Sequence, residues 1–196
     1  MPAYGFPGVN CISVNDEAVH GVPSRRKLKW GDLVKIDVTA ELDGYVADAA
    51  VTHEVGRVDD ESRALRRCAD LALSSALAVV RDGVPLNEIG RAVESAVARF
   101  GFRVLTQLTG HGVGRKIHEP PRVSNAYVPA LKTVLRAGMV ITVEPIIAVT
   151  TSQVARATRD GWTVTTSDGS RSAHAEHTIV VTHRKPLVIT RPARSA

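Results

Sequence analysis

Asp37, Asp48, Glu144 and Glu176 each interrupt a run of apolar, largely β-branched residues: VKIDVTA, YVADAAVT, MVITVEPII and HAEHTIVV. Such runs predict strands that turn alternate side chains toward a protected interior. An ionised carboxylate is costly there unless something compensates it, so the fold has to bring positive charge to these acids. His111 lies in the glycine-rich stretch LTGHGVGRKIHEP. Four carboxylates and one imidazole are the donor set that a pair of divalent ions, spaced to activate one water between them, would need. Brought together without metal, the acids would repel one another and some would take up protons.

The first two acids can be placed by pattern alone. Val34, Ile36, Val38 and Ala40 alternate with Lys35, Asp37, Thr39 and Glu41, and Asp43-Gly44 then signals a two-residue hairpin turn. Such a turn predicts Leu42 opposite Tyr45, Thr39 opposite Asp48 and Asp37 opposite Ala50. Both aspartates then share one face as diagonal neighbours, roughly 7–8 Å apart at the backbone. A loop one residue longer would send them to opposite faces. Taken alone, the pattern also fits two acids on a solvated strand face.

From about Tyr4 to about Thr182 the chain resembles the type I methionine aminopeptidases. The resemblance is carried by the ordered motifs YGFPGVNCISVNDEAVHGVP, IDV, DGYVADAA, GHGVGRKIHEPP, GMVITVEP and DGWTVTTSDGSRSAHAEHTIVVT. It implies an α+β pita-bread fold, an antiparallel curved sheet with helices on its outer face. It also implies removal of the initiator methionine from nascent proteins by a dinuclear-metal-activated water. Asp37, Asp48, His111, Glu144 and Glu176 fall at the ligand positions, with Glu144 serving also as proton acceptor. The ions so implied are Co, Mn, Fe or Zn. His20 and His118 fall where the family has catalytic histidines that do not bind metal. Phe6, Cys11 and Trp162, with both histidines, fall where it binds the substrate and encloses the methionine side chain. Without the resemblance, His111 also reads as a solvated loop histidine, Cys11 as an ordinary buried cysteine and Trp162 as a core aromatic. His53, His174, His177 and His183 receive no functional assignment.

A chain of 196 residues, 44% hydrophobic, can bury a substantial core, and no apolar run approaches the length of a membrane span. One catalytic domain over residues 1–196 is expected, with the tail 183–196 partly frayed. Helices are expected from Asp59-Asp60-Glu61 to near Asp82-Gly83, and from an Asn87 cap to Phe100-Gly101. Strands are expected over 102–108, 139–149, 162–166 and 174–181. Two cysteines without metal or redox spacing fit a cytoplasmic protein. The net charge of +5 includes a cluster at Arg25-Arg26-Lys27, from which weak ribosome association is an expectation. The helical stretch that family members carry ahead of the Tyr4 motif is absent, so an N-terminally truncated form is expected. Its uncovered sheet face near Val38, Ala40, Ala47 and Ala49 is then open to self-association. Two other readings accompany the aminopeptidase: an Xaa-Pro peptidase of the same fold, and a catalytically silent binding module.

Overall fold

The chain enters its first sheet through β1 (Cys11–Val14) and turns into β2 (Glu17–Val19) before forming the hairpin β3 (Leu33–Leu42) and β4 (Tyr45–Glu54). The structure is a computed structural model describing residues 5–156 and 159–191. Asp43 and Gly44 both take positive φ, 53° and 77°, as a turn matched to the strand twist requires. The register is the one the turn implies: Leu42 faces Tyr45, Thr39 faces Asp48 and Asp37 faces Ala50. β1 adds to the far edge of β3, with Cys11 opposite Asp37.

Two helices follow. Asp59 caps α1 (Asp60–Val79) by accepting the Ser62 N–H at 2.7 Å, and Asp60 and Glu61 complement the first turn. Its stripe of Leu65, Cys68, Ala69, Ala72, Leu73 and Ala76 is buried. α2 (Asn87–Ala98) departs from expectation, because Asn87 is its first helical residue and Leu86 occupies the cap. The Asn87 amide bonds both ways with Val128 instead, donating to its carbonyl at 2.7 Å and accepting its N–H at 2.8 Å. Two tertiary hydrogen bonds outweigh the single one a cap would make.

Ten short strands complete the described chain: β5 (Arg103–Val104), β6 (Thr109–Gly112), β7 (Glu119–Ser124), β8 (Val140–Val143), β9 (Ile146–Ala148), β10 (Val154–Arg156), β11 (Val164–Thr166), β12 (Ser172–His174), β13 (His177–Val180) and β14 (Leu187–Val188). All paired strands are antiparallel, in four small sheets ordered β1-β3-β4, β10-β11-β2, β12-β9-β5 and β14-β13-β8-β6-β7. The stretches 139–149 and 174–181, each expected as one strand, are each broken in two. Pro145 has no N–H to continue a ladder, so β8 pairs with β13 while β9 pairs with β12. Glu144 and Glu176 sit in these two breaks. There the Ala175 N–H reaches the Pro145 carbonyl at 3.2 Å and the Glu176 N–H reaches the Ala50 carbonyl at 2.8 Å. In the stretch expected as a tail, β14 pairs with β13, and residues 192–196 lie outside the described residues.

The main core joins the inner stripes of both helices to Leu33, Val104, Val123, Ile141, Val143, Ile147 and Ile179 of the sheets. A smaller cluster of Ala18, Val19, Leu105, Ile146 and Ala148 lies under β2. On the hairpin face opposite Asp37 and Asp48, Val38 is 44% and Val51 46% exposed. Ala40 is exposed beside them, while Ala47 and Ala49 are half-buried.

Gly90 shows how tightly α2 is seated. A Cβ there would press into the backbone carbonyl of Ala126. Alanine is favoured over glycine in a helix by about 1 kcal/mol, yet Gly90→Ala is expected to destabilise the fold by about 1–3 kcal/mol. A lowered urea midpoint at unchanged m-value would establish this, and a raised midpoint would contradict it.

Candidate metal centre

The hairpin and the two strand breaks bring the acids together. Asp37 and Asp48 share a side-chain hydrogen bond, and so do Glu144 and Glu176. The Thr39 hydroxyl donates to Asp48 Oδ1 at 3.1 Å. Thr178 fixes the Asp48 backbone from β13, accepting its N–H at 2.8 Å and donating to its carbonyl at 2.7 Å. Thr142 Oγ1 accepts the His111 backbone N–H at 3.0 Å and donates to Glu144 Oε1 at 2.7 Å. Asn125 Nδ2 holds the Glu144 carbonyl at 2.9 Å.

His111 Nδ1 lies 3.0 Å from the Gly112 carbonyl. A carbonyl only accepts, so Nδ1 carries the proton and Nε2 keeps its lone pair for the site. That nitrogen is 3.5 Å from Glu144 Oε1. Ligand atoms of Asp48, His111 and Glu176 all lie within 4.8 Å of one another.

Burial, then the Asp48 charge and the hydrogen bond to it, pushes Asp37 up to about 8. Burial also raises Glu144 and Glu176 well above the ordinary carboxylate range. The charges of Asp48 and Asp37 add to both shifts, and Glu144 adds to that of Glu176. Among the described residues no Arg or Lys forms an ion pair with any of the four acids. Lys35 is 1% exposed and shares the inner face of β3 with Asp37. Its ammonium donates to the carbonyls of Asn15 at 2.6 Å and Ser172 at 3.3 Å instead. Hydroxyl dipoles position the acids but leave their charge uncancelled. Hard oxygen donors with a single imidazole suit divalent cations, so the residues fit such a group.

Of the other residues singled out in the sequence, His118, Cys11 and His20 lie beside this cluster. The His118 ring packs edge-on against His111, centroids 4.3 Å apart, and burial followed by the His111 charge lowers its pKa. Cys11 lies across from Asp37; burial and then the charges of Asp37 and Asp48 push its thiol up to about 12, so it stays protonated. His20, at φ 57°, follows β2 directly. Trp162 stands two residues before Val164, which pairs with Val19. Its ring meets Phe6 edge-on, centroids 5.4 Å apart. The supporting residues Thr39, Thr142, Thr178 and Asn125 escaped the sequence reading. For the threonines a signal existed: DVT, TVE and EHT each put one two positions from an acid, the spacing that shares a face on a strand.

Residues 1–183 match metallopeptidase family M24. Methionine aminopeptidase 2 of Bacillus subtilis is 43% identical over 190 residues, which cover 96% of this chain and 76% of that protein. The methionine aminopeptidase of Borreliella burgdorferi is 41% identical over 187 residues, covering 95% and 74% respectively. The structure of methionine aminopeptidase from Rickettsia prowazekii superposes with a TM-score of 0.93 at 38% identity, over 96% of this chain and 76% of that one. Prolidase from Pyrococcus horikoshii gives 0.75 at 27% identity, over 96% and 49%.

Protons compete with metal for the raised carboxyls, so affinity for a divalent ion is expected to strengthen with pH until Asp37, at about 8, has ionised. Titration of the chain with Mn2+ between pH 6 and pH 8 should lower Kd by about tenfold per pH unit for each proton displaced. A flat profile would contradict the protonated cluster.

Proposed function

The chain belongs to metallopeptidase family M24, and from that membership we propose that its centre removes the initiator methionine from the N-termini of nascent polypeptides. The observation that carries this reading is the convergence of four acids and His111 in a pita-bread chain whose methionine aminopeptidase relatives reach 43% identity. The Xaa-Pro peptidase reading is less favoured, since the prolidase likeness is lower in both TM-score and identity. The retained ligand set argues against a silent binding module.

Asp37, Asp48, His111, Glu144 and Glu176 would hold two divalent ions, with Mn, Fe, Co and Zn all suited to oxygen donors and one nitrogen. Such ions, when bound, activate water and polarise the scissile carbonyl. Glu144 takes the proton from the attacking water. His118, lying against His111, donates a hydrogen bond to the oxygen on which charge develops. His20 delivers a proton to the departing amine. Phe6, Trp162 and the protonated Cys11 enclose the methionine side chain with apolar and soft surface.

The catalytic domain, on this reading, spans residues 1–196 and works in the cytoplasm, where new chains emerge. Among the described residues no helix is long and apolar enough to cross a membrane. Two weaker associations belong to the same proposal. The loop carrying Arg25, Lys27 and Lys29 is exposed, with Trp30 83% exposed beside them, which suits weak contact with ribosomal RNA. The apolar hairpin face around Val38, Ala40 and Val51 suits self-association.

The purified chain supplied with Mn2+ or Co2+ is expected to release methionine from Met-Ala-Ser, and Asp48→Ala or Glu144→Ala to abolish that turnover while leaving the fold intact. Cleavage of Xaa-Pro peptides alone would favour the prolidase reading. Bound metal without turnover on either substrate would favour the silent module. In sedimentation, Val38→Lys should reduce self-association, and salt should release the chain from ribosomes. A concentration-independent monomer that ignores ribosomes at low salt would remove both associations.

A further inference from the structure

We propose that His174 is a positioning residue of this centre, its ring N–H holding the carboxylates of Glu176 and Glu144 in the orientation that receives metal. The inference rests on the reading of the five neighbouring residues as a metal centre. His174 is 2% exposed, and among the described residues neither of its ring nitrogens has a hydrogen-bond partner. Leaving such a group unmade costs about 1–3 kcal/mol, so its retention calls for a reason.

The surroundings of the ring supply that reason. Nε2 lies 3.7 Å from Glu176 Oε2 and 3.9 Å from Glu144 Oε2. The two oxygens of Glu144 thus face different imidazoles, Oε1 toward His111 and Oε2 toward His174. Backbone bonds prevent His174 from retreating: its N–H donates to Thr52 Oγ1 at 2.9 Å, and that hydroxyl donates back to its carbonyl at 2.8 Å. With its proton on Nε2, as an imidazole beside carboxylate acceptors favours, the ring turns a donor toward these oxygens. A small rotation of either carboxylate closes the gap. His111 already turns an imidazole lone pair toward the site, so His174 is assigned as donor and not as ligand. Partners of this kind fix the direction of a ligand's lone pairs, and losing one commonly weakens metal binding.

Two variants of the full chain separate this role from simple packing. His174→Leu keeps an apolar body and removes every donor, whereas His174→Gln keeps an N–H. Calorimetric titration with Mn2+ is expected to show binding weakened by about 10–100-fold in the Leu variant and by no more than about threefold in the Gln variant. The visible spectrum of the Co2+-loaded protein should change in the Leu variant alone. The metal-free Leu variant should have a urea midpoint no lower than the parent's, since the ring nitrogens it removes are buried without a hydrogen-bond partner. Leu binding Mn2+ as tightly as the parent would overturn the assignment, as would Gln and Leu failing alike, which would move the nitrogen onto the metal. A parent chain that takes up no Mn2+ would overturn the metal-centre reading and this assignment with it.

Discussion

Four acids converge at the middle of this molecule with, among the described residues, no cationic side chain paired to them, and much of the surrounding architecture follows from tolerating that. Each acid is delivered by a different element, so none can move away without disturbing a sheet. Asp37 and Asp48 are set by the hairpin register. Glu144 and Glu176 are set by facing strand breaks. The groups that hold them are neutral: Thr39, Thr142, Thr178 and Asn125 donate or accept hydrogen bonds and leave the charge uncancelled. Lys35, the buried ammonium nearby in sequence, is tied to two carbonyls. A positively charged ligand is what the arrangement calls for, as suits a metal-dependent hydrolase.

The hairpin was legible because two local rules agree there. Period-two alternation fixed the faces, and Asp43-Gly44 fixed the turn, so the register followed down to individual pairs. The helix from Asp60 was legible through its capping aspartate. Elsewhere local chemistry was outvoted by tertiary partners. Asn87 is a favourable cap residue, but Val128 offers its amide two bonds where a cap offers one. The apolar runs 139–149 and 174–181 read as continuous strands because hydrophobicity is continuous through them. Their breaks come from a change of pairing partner, which no single segment encodes.

The site shows the same division. The acids of the cluster were readable from their place in apolar runs, but the residues supporting them were mostly not. Thr142 is an ordinary strand residue until one sees that His111 lies across the sheet, and His174 looked like any histidine beside a more conspicuous Glu176. Such residues act through neighbours distant in sequence. A single chain read alone gives their spacing and withholds their partners.

The two strand breaks carry a consequence outside catalysis. Glu144 and Glu176 stand where one sheet gives way to the next, so an ion bound there would join β8 and β13 to β9 and β12 as a rivet joins plates. Whatever binds the native state and not the unfolded chain adds to its stability in proportion to the logarithm of its concentration. In a cell starved of divalent metal, this protein would open more often and fall to proteases sooner. Metal supply would therefore govern how many copies persist as well as how many turn over substrate.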